Sequence, residues 1–137
     1  MTTDFALDPR LAADTDPVGE LPLCRVLLMN DARFRWLILV PRRAALAEIA
    51  DLPADDRARL LEEAVQAGEA LRATGEVDKL NIGALGNMVR QLHVHVVARR
   101  IGDAAWPGPV WGSGAALPRT PEERQALLAA LRQNLRM

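Results

Sequence analysis

Few of the residues that mark secreted or membrane proteins occur in this chain. It has one cysteine, Cys24, so it cannot form an internal disulfide, and a reducing compartment is the expected setting. Cys24 lies in an apolar run without an activating neighbour, which favours a buried structural thiol. The apolar runs are far shorter than the roughly 20 residues of a membrane helix, and no secretory leader is visible. We therefore expect a cytoplasmic protein without a membrane partner.

An excess of charge of either sign is also missing. The 137 residues carry 17 basic and 18 acidic side chains, which gives a formal net charge of −1. This balance argues against a nucleic-acid polymer as the main partner, although it leaves room for a few arginines beside a small phosphorylated ligand. The length and the 50% content of hydrophobic residues suit one folded domain over residues 1–137.

Hydrophobic periodicity predicts a hairpin, a helix, a second hairpin and a second helix, which is an α+β pattern with an antiparallel sheet. In chain order we predict a short helical or turn segment at 7–13, a connector at 17–22, strands at 23–29 and 35–40, a helix at 54–73, strands at 79–84 and 90–99 joined by a tight turn, and a helix that begins near Thr120. The apolar face of the first long helix is predicted to comprise Leu60, Leu61, Ala64, Val65, Gly68 and Leu71.

The two histidines of the chain stand two residues apart, in the run Gln91-Leu92-His93-Val94-His95-Val96-Val97. Alternate residues of a strand project to the same face, so Gln91, His93 and His95 are predicted to face a common space. Imidazole is suited to nucleophilic and acid–base work near neutral pH, and it is also a frequent metal ligand. Three interpretations are open at this point: a catalytic pair, a metal site completed by carboxylates, and histidines satisfied by packing.

The same run resembles the signature of the histidine triad (HIT) family, in which three alternating strand positions carry His, His and then His or Gln. Further segments resemble the family in chain order: Asn30 with Phe34–Pro41, Asn81-Ile82-Gly83, Gly86-Asn87 and Trp106-Pro107-Gly108. The resemblance implies a HIT-like α+β fold with a five-stranded antiparallel sheet and two main helices, and it implies a homodimer.

The implied activity is that of a metal-independent hydrolase or nucleotidyl transferase without a cofactor. It would act at the α-phosphate of a purine nucleotide conjugate, such as a dinucleoside polyphosphate or a nucleoside phosphoramidate. His93 matches the nucleophile, which would form a covalent nucleotidyl-histidine. The backbone carbonyl of Gln91 would accept the other ring proton of His93. His95 would hydrogen-bond the phosphate or the leaving oxygen.

Other positions match the ligand contacts of the family. Asn81 and Asn87 match positions that contact phosphate oxygens, and Asn30 matches the region that meets the ribose. Leu28 and Phe34 would hold the base, and Trp106 would lie at the edge of the site or of the partner's site. An amide is a suitable neutral donor to a phosphate oxygen, and apolar side chains suit a base.

Three residues depart from the family pattern. Gln91 takes the position of the first histidine, Trp36 a hairpin position where better-characterised branches carry a fourth histidine, and Met88 a position where Ser or Thr is common. Trp36 is flanked by apolar strand residues, which favours a core position. These departures motivate a second hypothesis, a nucleotide-binding or sensing module with little turnover. A third is a metal-binding protein that uses His93 and His95.

Overall fold

Five antiparallel strands form one sheet in the computed structural model, which describes residues 4–137. In chain order the elements are α1 (Pro9–Asp14), β1 (Thr15–Glu20), β2 (Cys24–Met29), β3 (Arg35–Pro41), a 3₁₀ turn (Ile49–Asp51), α2 (Ala54–Arg72), β4 (Lys79–Gly83), β5 (Val94–Arg99) and α3 (Pro121–Asn134). The strands are arranged in the order β1-β2-β3-β5-β4. The predicted α+β class, the five-stranded antiparallel sheet and the two main helices, α2 and α3, are confirmed.

The two faces of the sheet are covered by different parts of the chain. Helices α2 and α3 cover one face, which we call the helix face, and α1 with the segment 100–118 covers the other, which we call the loop face. In β5, Val94 and Val96 pack on the helix face, whereas Val97 packs on the loop face. Because successive strand residues point to opposite faces, His95 projects to the loop face.

The stretch 17–22, predicted as a connector, belongs in part to β1, so that prediction was wrong. β1 is an edge strand paired with β2, and its register shifts between Pro17 and Gly19. An edge strand tolerates proline, because one side of its backbone makes no ladder hydrogen bonds, and a bulge absorbs the irregular spacing. The proline and glycine here mark an edge strand.

The connection between β4 and β5 is longer than the predicted tight turn. β5 begins at Val94 and not at residue 90, so an irregular segment, 84–93, joins the two strands. Gly86 adopts a φ of 75°, the left-handed region that favours glycine. Gln91 and His93 therefore precede the strand.

The buried stripe of α2 differs from the predicted apolar face at two positions. Leu61 and Val65 are exposed, and the buried residues are Leu60, Glu63, Ala64, Ala67, Gly68, Ala70 and Leu71. One residue corresponds to about 100° of helix rotation, so a side chain next to the buried stripe in sequence can lie on the solvent side. In contrast, α3 begins as predicted, because Thr120 caps it and forms a capping box with Glu123.

Glu63 is a buried carboxylate that joins α2 to the start of β2. Its two oxygens accept the backbone N–H groups of Leu23 and Cys24, each at 2.8 Å. Cys24 is fully buried beside it, and burial first, then Glu63, raise the pKa of the thiol. A protonated, inaccessible thiol agrees with the prediction that Cys24 is a buried structural residue.

Residues 4–137 contain no helix that is long and apolar enough to cross a membrane.

We predict that Glu63→Gln lowers the free energy of unfolding by about 2–3 kcal/mol, because an amide can accept only one of the two backbone N–H groups. Urea denaturation followed by circular dichroism measures the change. Glu62→Gln is the matched control, since the neighbouring Glu62 is exposed on the same helix, and we expect it to change stability by less than about 0.5 kcal/mol. Equal stability of the two variants would contradict the role given to Glu63.

Candidate active site

The loop face of the sheet carries a cavity of about 660 Å³ that contains both histidines in its wall. Its remaining walls come from the end of α1, the end of β2, strand β3, the 85–89 part of the β4–β5 connection and the segment 110–118. These parts are distant in sequence and are brought together only by the fold. A volume of this size lies within the range of roughly 300–1,000 Å³ that is usual for small-molecule sites.

His93 is held at the entrance to β5 by a hydrogen bond to its own main chain. Its Nδ1 lies 2.6 Å from the backbone oxygen of Gln91, and its side chain is buried. A carbonyl oxygen can only accept, so Nδ1 carries the proton and donates it. In the neutral ring Nε2 then has a free lone pair. A lone pair on an imidazole nitrogen at a cavity wall is the arrangement that nucleophilic attack needs.

His95 lies beside His93 with a ring-centroid separation of 4.9 Å. Its Nδ1 accepts the indole N–H of Trp36 on the neighbouring strand at 3.0 Å. Burial first, and then the charge of His93, lower the pKa of His95 to about 4. His95 is therefore neutral near pH 7, where it has one N–H group to donate.

Trp111 covers the other side of the His95 ring at a centroid distance of 5.3 Å. It approaches β4 so closely that a Cβ on Gly83 would lie 3.1 Å from its ring. Gly83 pairs with His95 in the sheet, so the missing side chain at Gly83 makes room for the indole. His95 is thus enclosed by two tryptophans, Trp36 and Trp111.

Three of the predicted ligand contacts surround a buried arginine and do not line the cavity. The guanidinium of Arg99 donates to Asp103 at 2.8 and 2.9 Å and to Oδ1 of Asn81 at 2.8 Å. It also lies over the rings of Phe34 and Trp106. The hydrogen bond with Arg99 lowers the pKa of Asp103 to about 2. The predicted ligand contacts of Asn81 and Phe34 are thus corrected: with Trp106 they hold Arg99, which ties the segment after β5 to the sheet. A position of Trp106 at the partner's site stays a prediction.

Leu28 also lies away from the cavity, and its predicted contact with the base is corrected. It is fully buried on the helix face, whereas Leu27 and Met29 point to the loop face, and Met29 lines the cavity. The prediction was off by one residue along β2, and a shift of one residue moves a strand side chain to the other face of the sheet. Of the predicted contacts outside the histidine run, Asn30 and Asn87 line the cavity.

Gln91 does not line the cavity that contains both histidines, so the prediction that all three side chains face one common space was wrong. Its Oε1 accepts the backbone N–H of Asp8 at 2.8 Å, and its Nε2 donates to the backbone oxygen of Ala6 at 2.9 Å. Strand alternation does not reach Gln91, because β5 starts three residues later. Gln91 instead ties the N-terminal segment, and hence α1, to the base of the histidine segment.

Several cavity residues were not among the sequence predictions for the site. They are Leu11, Asp14, Met29, Asp31, Arg33, Trp36, Ile38, Leu85, Met88, Val89, Val110 and Trp111. Trp111 lies in the Gly- and Pro-rich segment 101–116, and the tryptophans of that segment were the one sequence signal for its role. Within residues 4–137, no group of three or more His, Cys, Asp or Glu side chains is arranged to hold a metal ion.

Comparisons with known proteins agree with the fold. The family model described as the HIT domain matches residues 10–102. A histidine triad protein from Bradyrhizobium japonicum is 48% identical, with 96% of this chain and 98% of that chain covered and a TM-score of 0.93. One from Sinorhizobium meliloti is 50% identical, with 96% and 97% covered and a TM-score of 0.93. No curated protein matches the chain.

A third similar structure is a histidine triad protein from Marinobacter aquaeolei. It is 48% identical, with 96% of each chain covered and a TM-score of 0.93. The likeness to the three structures thus extends over nearly the whole chain.

We predict that Gln91→Ala loosens the N-terminal segment, because both hydrogen bonds to Ala6 and Asp8 are lost. The amide of Asp8 should exchange with solvent about tenfold faster, which corresponds to the loss of one ordinary hydrogen bond. Amide hydrogen exchange read by NMR measures this rate. Gln66→Ala, on the exposed side of α2, should leave it unchanged. Unaltered protection of Asp8 in Gln91→Ala would show that Gln91 does not hold the segment.

Proposed function

Because this chain belongs to the HIT domain family, we propose that it hydrolyses nucleotide conjugates through a covalent nucleotidyl-His93. The HIT superfamily comprises nucleotide-binding proteins and includes hydrolases and transferases. The observation that carries the proposal is the hydrogen bond from Nδ1 of His93 to the backbone oxygen of Gln91. It leaves Nε2 as the nitrogen with a lone pair at the cavity wall.

The cavity offers suitable surfaces for a nucleotide. Apolar side chains from α1, β2, β3 and the segment after β5 give a wall for a purine base: Leu11, Met29, Ile38 and Val110. Asn30 lies at the end of β2 and is proposed to meet the ribose. Asn87 lies in the segment that precedes His93 and is proposed to donate its amide N–H to a phosphate oxygen.

The proposed reaction proceeds in two displacements. The lone pair of His93 Nε2 attacks the α-phosphorus, an N–P bond forms, and the bond from phosphorus to the leaving oxygen or nitrogen breaks with its electron pair on the leaving group. The proton on Nδ1 stays in the hydrogen bond to Gln91, whose carbonyl dipole stabilises the positive charge of the modified ring. Water then attacks phosphorus: an O–P bond forms, the water loses a proton to solvent, and the N–P bond breaks with its electron pair returning to Nε2 of His93.

The two rival interpretations make different demands on this site. A nucleotide-sensing module needs the same cavity but no turnover, so it is separated from the enzyme by assay. A metal site would need a lone pair from each ring, and His95 offers none, because its Nδ1 accepts the indole N–H of Trp36 and its Nε2 carries the proton. The geometry therefore supports the enzyme better than the metal-binding protein.

We also propose that the protein acts as a homodimer through the β4 edge of the sheet. β4 is paired on one side by β5 and is the last strand of the sheet. On this strand Ile82 is 51% exposed, and in the connection that follows it Leu85 is 45% exposed. An edge strand followed by exposed apolar side chains is suited to pairing with a second copy. The cytoplasmic location and the single domain over residues 1–137 stay predictions from the sequence.

We predict that wild-type protein releases AMP from an adenosine phosphoramidate or a diadenosine polyphosphate, and that His93→Ala lowers kcat by about 10³-fold or more. The loss follows from removal of the attacking nitrogen. Chromatographic measurement of AMP gives the rates, and Gln66→Ala, distant from the cavity, should retain full activity. Undiminished release of AMP by His93→Ala would overturn the mechanism. Nucleotide binding by the wild type without AMP release would favour the sensing module.

We predict that Ile82→Lys converts the dimer to a monomer, because a charged side chain on an edge strand opposes pairing with a second copy. Sedimentation velocity measures the mass in solution. Leu61→Lys places the same charge on the exposed surface of α2 and should leave the dimer intact. A monomeric wild type, or a dimer that survives Ile82→Lys, would contradict the β4 interface.

A further inference from the structure

Trp36 is the residue that faces Nδ1 of His95. It lies on β3, in register with Val97, and Ile38 is in register with His95, so Trp36 reaches His95 diagonally across the strand pair. The two side chains are 7% and 6% exposed, and the indole nitrogen is 3.0 Å from Nδ1. A buried hydrogen bond of this length is well formed and costly to lose.

The chemistry of the two rings decides where the proton of His95 lies. An indole N–H can donate but cannot accept, so Nδ1 must supply the lone pair. A neutral imidazole carries one N–H, and that N–H is therefore on Nε2. Burial and the lowered pKa of His95 agree with a neutral ring near pH 7.

We propose that Trp36 is a positioning residue that holds His95 as the tautomer with its proton on Nε2, so that His95 donates a hydrogen bond to the substrate and relays no proton. This inference deepens the proposed function, because it assigns the state of the group beside the nucleophile. It also gives Trp36, a position where the family pattern is not followed, a function beyond filling the core.

The two histidines are then held in opposite tautomers by different protein groups. The backbone oxygen of Gln91 places the proton of His93 on Nδ1, and the indole of Trp36 places that of His95 on Nε2. One ring presents a lone pair and its neighbour, 4.9 Å away, presents a donor. An attacking atom and a donor to the developing negative charge are the two groups that a phosphoryl displacement requires.

A proton relay through His95 is excluded by the same hydrogen bond. To pass on its Nε2 proton, the ring would have to gain another on Nδ1, which would place two N–H groups against each other. The leaving group must therefore obtain its proton from solvent or from the substrate itself. His95 stabilises charge on the substrate and keeps its own proton throughout.

The packing around His95 explains why one indole can control the ring. Trp36 is held by an edge contact with Phe34 at 6.3 Å, and Trp111 lies on the other side of His95 at 5.3 Å. Among the described residues the buried indole nitrogen of Trp111 has no hydrogen-bond partner, so it makes no hydrogen bond to His95. It is therefore the matched control: an indole in contact with the same ring but without the bond.

The test is the NMR spectrum of the full chain labelled with ¹⁵N at histidine and tryptophan. Two histidines give four ring nitrogens, which His93→Gln assigns. At neutral pH the wild type should show Nδ1 of His95 without a proton and Nε2 with one, and the reverse for His93. A scalar coupling between the indole nitrogen of Trp36 and Nδ1 of His95, through the hydrogen bond, is also expected. A protonated Nδ1 on His95, or no such coupling, would overturn the proposal.

Trp36→Phe removes the donor and keeps an aromatic ring. We expect the ratio of the His95 tautomers to shift by about tenfold toward the Nδ1–H form, the effect of one ordinary hydrogen bond, whereas Trp111→Phe should leave it unchanged. For Trp36→Phe we expect kcat to fall by about 3–10-fold, with a smaller change in KM. An unshifted tautomer ratio in Trp36→Phe would sink the inference, and the wild-type coupling decides the matter if that variant does not fold.

The NMR measurement needs no substrate, so it separates this inference from the proposed function. The expected tautomers in a protein that releases no AMP would refute the hydrolase and support the control of His95 by Trp36. AMP release by a protein whose His95 carries its proton on Nδ1 would support the hydrolase and refute the control of His95 by Trp36.

Discussion

The chemistry proposed for this protein depends on one hydrogen bond, which joins Nδ1 of His93 to the backbone oxygen of Gln91. The bond forms because the chain turns just before β5, at a point where the backbone N–H of Leu92 is also held by the oxygen of Leu46. A main-chain acceptor cannot change its protonation state, so the tautomer of His93 is set by the fold. In the proposed mechanism the cavity and the neighbouring donor serve the reaction only because Nε2 of His93 is free.

Gln91 and Trp36 support that arrangement in different ways. Gln91 uses its side chain to anchor the N-terminal segment that forms one wall, while its carbonyl orients the proposed nucleophile. Trp36 directs an indole N–H at His95. Both side chains keep their protons over the physiological pH range. The support around the proposed nucleophile is therefore insensitive to pH, and His95 is kept neutral by its burial.

Local pattern was sufficient for most of the fold and for the centre of the site. Strand alternation and helical periodicity located β2, β3, β4, α2 and α3, and the spacing of His93 and His95 identified the pair. Edge strand β1 was missed because Pro and Gly usually mark connectors, and their tolerance at an edge depends on the neighbouring strands. Leu28 was misplaced because the face of a strand residue is set by where the ladder starts.

The remaining errors come from tertiary contacts that leave no local signal. The positions of Asn81, Phe34 and Trp106 are determined by Arg99, whose burial requires partners on every side. The hydrogen bond from Trp36 joins residues 59 positions apart in the chain. Sequence spacing cannot report such a pairing, because it arises from the register of β3 against β5.

The most direct test of the central claim is the identification of the covalent intermediate. Protein mixed with an adenosine phosphoramidate and quenched within milliseconds can be digested and analysed by mass spectrometry under conditions that preserve acid-labile N–P bonds. We expect one adenylyl group per chain, on the peptide that contains His93, at a level that rises before steady-state AMP release begins. AMP release with no adenylylated protein, or with the label on another residue, would contradict the account.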